Sequence, residues 1–143
     1  MSKVFTGLSV SVDGFITGRN PRTGHGLGDA GMLFDWYGDP QNADTYRGLV
    51  DRVGALVTGR TTYDDCGGFD GGSPHPTAPM VVVSHRHQPP EFVGSARQHF
   101  VETIEDALAQ AKELAAGKDV GIQGGVTLAA AIDAGLVDEV ILH

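Results

Sequence analysis

Hydrophobic and polar positions along this chain follow two periods that take turns. From Lys3 to Val12 the apolar residues Val4, Leu8, Val10 and Val12 fall between small and polar ones, which predicts a strand. Asp13-Gly14 then supports a sharp change of direction. Thr17 to Asp39 has no period and is rich in Gly, Asp and Asn, so a long loop is expected, anchored by Met32-Leu33-Phe34-Asp35-Trp36-Tyr37. Loops of this length in a compact domain are often lids or pocket walls, and otherwise are mobile.

A helical period follows from about Ala43 to Val53, with Tyr46, Leu49, Val50 and Val53 on one face and Asn42 or Asp44 as N-cap. Gly54 to Thr58 reads as a short buried strand, and Gly59-Arg60-Thr61-Thr62-Tyr63 as the opening of a short helix. Gly67 to Pro79 is Gly/Pro-rich loop, and Met80 to Ser84 an apolar strand ending at Ser84-His85-Arg86. After a polar connection, Gln98 to Val101 is a weak strand. Thr103 caps a helix striped by Ile104, Ala107, Leu108, Ala111, Leu114 and Ala115, which Gly117 stops. Val120 to Ile122 is a strand, Gly124-Gly125 breaks it, and Val126 to Ala134 is an Ala-rich helix that Gly135 ends. Val137 to His143 is the last strand. Strands alternating with helices, several of them wholly apolar, predict one α/β domain with a mostly parallel sheet covered on both faces.

Composition narrows the function. At 143 residues the chain is long enough for one sizeable core. Ten basic against eighteen acidic residues give a net charge of −8, which argues against a nucleic-acid or anionic-membrane partner. A single phosphate still needs only two or three local donors. One cysteine, Cys66, leaves no internal disulfide framework or cysteine metal cluster, and its simplest role is packing. No apolar run has membrane-spanning length and no signal pattern opens the chain, so a cytoplasmic protein is expected.

Three strand ends carry candidate chemistry, and in parallel sheets ligands sit beyond the carboxyl ends of strands. Gly124-Gly125-Val126-Thr127 delivers a strand into a helix start with no side chains in the way, a geometry that receives phosphate; a tight turn that binds nothing fits equally well. Gly59-Arg60-Thr61-Thr62 combines a helix start, a cation and two hydroxyls suited to pyrophosphate, or is a capped helix with a surface arginine. Ser84-His85-Arg86 offers a bidentate partner for a phosphate monoester, or is an ordinary polar turn. Together they suit a dinucleotide with a 2′-phosphate. No acidic residue follows the Ser84 strand end to hold a ribose diol, which favours NADPH over NADH. Asp13, just past the first strand, either reaches the cleft to orient substrate or supply a proton, or forms an Asx turn. Gly24-His25-Gly26-Leu27-Gly28 lacks dinucleotide-fingerprint spacing, His85 and His87 lack further metal ligands, and Ser73-Pro74-His75 lacks a nucleophile's setting.

Ser11-Val-Asp13-Gly14-Phe-Ile16, Val57-Thr-Gly59-Arg60-Thr61-Thr62-Tyr63, Val83-Ser84-His85-Arg86, Gly124-Gly125 and Gly135-Leu-Val-Asp138-Glu139 occur in an order and spacing that is familiar. The sequence resembles the dihydrofolate-reductase-like family, in the branch similar to the reductase domain of the bifunctional riboflavin-biosynthesis deaminase-reductase. The resemblance implies a three-layer α/β fold with a central, mostly parallel mixed sheet, NADPH as hydride donor, and a homodimer. By motif, Gly59, Arg60, Thr61 and Thr62 are expected at the cofactor phosphates, and Ser84 and Arg86 at the 2′-phosphate. Gly124, Gly125, Val126 and Thr127 are expected under the pyrophosphate and nicotinamide. Asp13 and Gly14 match a segment at the substrate end, Asp13 with a catalytic part, and Phe34, Trp36 and Tyr37 are expected as a substrate-pocket wall. The expected activity is hydride transfer to a C=N or C=O of a small pterin-, pyrimidine- or related substrate, as in dihydrofolate or 5-amino-6-(5-phosphoribosylamino)uracil reduction. A non-catalytic nucleotide-binding protein on the same fold and a flavin-binding reductase are the alternatives. The family continues past its last strand into a Gly-rich turn and a closing strand pair, whereas this sequence stops at His143: either the sequence in hand stops short of those strands, or the protein lacks them and a sheet edge is left open that needs a partner or cover.

Overall fold

The computed structural model describes residues 1–143. Its centre is a six-stranded sheet whose strands are β1 (Val4–Leu8), β2 (Val53–Gly59), β3 (Met80–Val83), β4 (Gln98–Val101), β5 (Asp119–Ile122) and β6 (Glu139–Leu142), in the order β4-β3-β2-β5-β1-β6. Every pairing is parallel. The five connections must therefore cross over, and four of them carry a helix: α1 (Ala43–Arg52), α2 (Arg60–Asp65), α3 (Ile104–Leu114) and α4 (Gly125–Asp133); β3 reaches β4 through a loop with one 3₁₀ turn, Pro90–Phe92.

Each face of the sheet buries its own apolar cluster. Val4, Ala55, Val57, Val81, Val120 and Ile122 meet α3 and α4 through Ala107, Leu108, Ala111, Leu128 and Ala131. Phe5, Leu56, Met80 and Val82 face the other way, against Tyr63 of α2 and Leu49 of α1. The α3 stripe works because its small residues let the helix lie close on the strands. Thr103 starts it, its hydroxyl accepting from the Asp106 N–H at 3.1 Å.

Several boundaries differ from the sequence pattern for physical reasons. β1 stops at Leu8, paired with Leu142, because its neighbour β6 ends there. Val10 still donates to the His143 carbonyl, but Val12 is fully exposed. Val53 belongs to β2 rather than to α1 and is buried. At Gly54 the β2–β5 register shifts, and a Cβ there would lie 2.4 Å from the Ala115 carbonyl oxygen. The anchored loop segment Gly31–Gly38 winds as 3₁₀ helix. Cys66 does not pack in the core; it is exposed just beyond α2. From Gly67 to Gly71 every residue has positive φ, including Phe69 at 51° and Asp70 at 50°, a left-handed turn that costs L residues roughly 1–2 kcal/mol each. Gln98 holds it, donating to the Gly68 and Gly72 carbonyls while accepting from the Tyr63 hydroxyl. The outer edge of β6 is unpaired and exposes Val140 and Leu142. No helix is long and apolar enough to cross a membrane.

Candidate functional site

The strand order decides how the three candidate strand ends meet. β3, β2 and β5 are consecutive neighbours, so Ser84, Gly59 and Gly124 follow one another along the carboxyl edge of the sheet. Neither Gly59 nor Gly124, the caps of α2 and α4, brings a side chain to the helix start it leads, so backbone N–H groups there are left for a ligand. The two starts are pressed together. A Cβ on Gly59 would sit 2.2 Å from Thr127 Oγ1, and one on Gly124 would sit 2.9 Å from Thr62 Oγ1. Gly124 also has φ of +83°, which only glycine adopts readily. The hydroxyls of Thr62 and Thr127 thus work first as packing across the joint. Thr61, Gly125 and Val126 lie exposed on its surface.

On the β1 side of this joint lies a cavity of about 290 Å³, at the small end of ligand-pocket sizes. Phe5 and Gly7 of β1 and Gly121 and Ile122 of β5 form its floor, with Leu49 and Val50 of α1 on one side. Phe34 and Tyr37 close it from the 3₁₀ segment, joined by Tyr46. The rings lock one another: Tyr37 meets Phe34 and Tyr46 edge-on, each at 5.1 Å between centroids. Burial pushes the Tyr37 phenol above its ordinary pKa, so it stays protonated at neutral pH. Trp36 stands behind this wall, stacked between Tyr37 and His143 at 4.2 Å from each, with Nε1 donating to Ser9 Oγ at 2.8 Å.

Two cavity residues were not singled out from sequence for this place. Gln123, the last side chain before the glycine pair, turns its Oε1 inward with no partner and no exposed surface. A lone polar residue between the apolar end of β5 and the glycine pair is the signal that could have found it. His75 reaches the cavity from the Gly67–Pro79 loop. Its Nδ1 accepts from the N–H groups of Thr77 and Ala78, so Nε2 carries the proton and donates to the Val50 carbonyl at 2.9 Å. No local pattern announces that contact, which is made across the fold.

At the β3 side of the joint the arginines are already engaged. Arg60 Nε donates to Asp64 Oδ1 at 2.8 Å, and its Nη1 reaches Ser84 Oγ and the carbonyls of Arg86 and His87. Arg86 Nη2 donates to Asp64 Oδ2 at 2.7 Å. Burial works to raise the Asp64 pKa, but the two guanidiniums more than offset it and hold the carboxyl below its ordinary range. The Ser84 hydroxyl donates to the Arg86 carbonyl and accepts from the Arg86 N–H, so it builds the turn. An acidic residue therefore does stand at the Ser84 strand end, brought there by α2 rather than by the strand itself. His85 and His87 are exposed.

Asp13 and Gly14 are not brought to the cavity. Both are exposed, and Asp13 Oδ1 accepts from Ser11 Oγ at 2.6 Å within a turn that Ser11 also closes by accepting from the Phe15 N–H.

Among solved structures the chain is similar to a crystal structure from Shewanella sp. PV-4, named provisionally as a riboflavin biosynthesis protein. The TM-score is 0.66 and the identity 28%, over 98% of this chain and 75% of that one. The fold is dihydrofolate-reductase-like. Comparison with family models, and with curated proteins, finds no match. The α/β fold expected from the sequence is thus the one found, and its likeness extends along nearly the whole chain.

Proposed function

We propose that this protein is an NADPH-dependent reductase that passes a hydride to a C=N or C=O carbon of a small pterin-, pyrimidine- or related ring. The observation that carries this reading is that Gln123, which lines the 290 Å³ cavity, is the residue directly before the glycine-led start of α4. The glycines let the starts of α2 and α4 pack directly on Thr127 and Thr62, with no capping side chain over the helix-start N–H groups, and the orphaned Gln123 Oε1 asks for a donor such as a carboxamide or a ring N–H. The riboflavin-biosynthesis name of the similar Shewanella protein supports a reductase-like role.

Bound there, the dinucleotide supplies the hydride; the protein supplies position. The N–H groups at the starts of α2 and α4 hold the pyrophosphate, and Arg60 and Arg86 serve the 2′-phosphate. Phe5, Leu49 and Phe34 exclude water from the ring. The protonated Tyr37 phenol donates to a substrate acceptor, and solvent at the cavity mouth delivers the proton. A homodimer forms part of this reading.

One observation favours a second reading, a nucleotide-binding protein without turnover: no carboxylate lines the cavity. Oxidation of NADPH in the presence of dihydrofolate or a ribosylated pyrimidine, by protein shown to bind the cofactor, tests the two. Turnover supports the reductase. Binding with no oxidation across a broad carbonyl and imine panel leaves the second reading. A yellow purified protein, carrying flavin, sinks both.

A further inference from the structure

Arg60, Asp64 and Arg86 form a chain of contacts whose second link no spacing in the sequence announces. Arg60 and Asp64 are one helical turn apart on α2, while Arg86 arrives because β3 pairs with β2 in a register that sets Val83 beside Gly59. Asp64 bridges the two cations with one oxygen each, at 2.8 and 2.7 Å. Arg60 Nη2 and Arg86 Nε and Nη1 have no protein partner. Arg86 is 65% exposed and Arg60 only 17%, so one guanidinium is open to a ligand from solvent and the other is largely covered.

These groups treat two kinds of ribose differently. A 2′-phosphate dianion gains the free arginine donors, yet it meets a carboxylate that already holds both cations and repels it. An unphosphorylated ribose has two hydroxyls to donate, and a carboxylate is the acceptor they need. The cleft of about 380 Å³ beside Asp64 carries Glu91 as a second carboxylate and no arginine or lysine, so the local field adds nothing for the phosphate.

We propose that Asp64 is the residue that sets dinucleotide selectivity here, restraining Arg60 and Arg86 against a 2′-phosphate and accepting the hydroxyls of an unphosphorylated ribose. The proposal rests on the reductase reading of the site and amends its cofactor: the protein uses NADH as well as NADPH.

The test is the ratio of NADH to NADPH dissociation constants, measured by calorimetric titration of the full chain with each dinucleotide. Because the pair is part-exposed and screened, the wild-type preference for NADPH is expected below about tenfold. Asp64→Asn should raise that preference by at least about tenfold, since two charge-assisted contacts become free for the phosphate. Added salt should erase the gain. Asp64→Glu should keep the wild-type ratio, and Arg86→Ala, which removes the exposed cation, should weaken NADPH far more than NADH. If Asp64→Asn melts too early to titrate, Asp64→Ser serves in its place. An unchanged or falling ratio in that variant overturns the role of Asp64, and so does a wild-type preference above about a hundredfold; in both cases the cofactor reading stands. Folded wild-type protein that binds neither dinucleotide sinks both.

Discussion

Gly59 and Thr127 occupy positions that leave no room for even one methyl group between them: a Cβ on Gly59 would lie 2.2 Å from Thr127 Oγ1. The contact joins the start of α2 to the start of α4, and the fit of the phosphate seat depends on it. Gly59→Ala should therefore destabilise the fold by about 1–3 kcal/mol, the usual cost of forcing an extra carbon into a packed site, and should weaken dinucleotide binding. Thr127→Ala removes the obstructing oxygen. Denaturant melts of the two single variants and the double should be strongly non-additive, with the double recovering most of the loss. Additive effects would show that the joint is not a contact.

Gly125 is one residue further on and behaves in the opposite way. A Cβ there meets only Ile16 Cδ1, at 4.0 Å, so a side chain fits. Gly125→Asp places a carboxylate in the first turn of α4, where it complements the helix dipole by about 0.3–1 kcal/mol. The variant should melt at or above the wild-type temperature and fail to bind NADPH. Retained binding would move the pyrophosphate away from α4.

Gln123 separates ligand recognition from stability. Its Oε1 is buried with no partner, and an unsatisfied acceptor costs about 1–3 kcal/mol in the ligand-free protein. Gln123→Leu keeps the volume and removes that cost, so stability should hold or rise while affinity for cofactor or substrate falls. Urea melts and ligand titrations on the same samples check the pair of outcomes. A variant that is both destabilised and fully competent in binding would contradict the assignment.

Acid should loosen a charged cluster at the opposite edge of the sheet. Asp119 lies below its ordinary pKa chiefly because it accepts from the Lys3 N–H, burial opposing and Arg52 adding to the effect. Glu139 is lowered chiefly by its hydrogen bonds from Arg52, again against burial. Both carboxyls hold protons less tightly in the folded chain than in the unfolded one. Their contribution is therefore complete above about pH 5 and disappears as pH falls through the folded values. Arg52 also lies over the Phe5 ring at 3.8 Å, a contact that a long apolar side chain partly keeps. Arg52→Met should lower the melting temperature at pH 7, and the difference from wild type should shrink steadily below about pH 4. A difference that does not change with pH would assign the loss to packing alone.

How much of this was legible beforehand varies element by element. The α3 stripe from Ile104 to Leu114 and its Thr103 cap were readable because the apolar period and the cap lie within one turn of each other. The strand before Gly124-Gly125 was readable because a glycine pair cannot continue a strand's packing. β1 was read too long, to Val12 rather than Leu8, because alternation shows which residues suit a strand and says nothing of where the neighbouring strand stops. Gly54 shows the same limit from the other side: its packing against the Ala115 carbonyl depends on a helix end far along the chain.

The sequence by itself determined the local chemistry of the strand ends, since turn glycines, caps and apolar periods act over a few residues. It also determined the α/β class, because wholly apolar short strands between helices need both faces covered. Tertiary structure alone decided which ends would be neighbours. Placing β3, β2 and β5 side by side brings Gly59 against Thr127 and sets Arg86 on Asp64, and folding the 3₁₀ segment over β1 makes Phe34 and Tyr37 a cavity wall while leaving Asp13 outside. The physical reason is that strand order and register are settled by burial summed over both sheet faces, a quantity that no single motif carries.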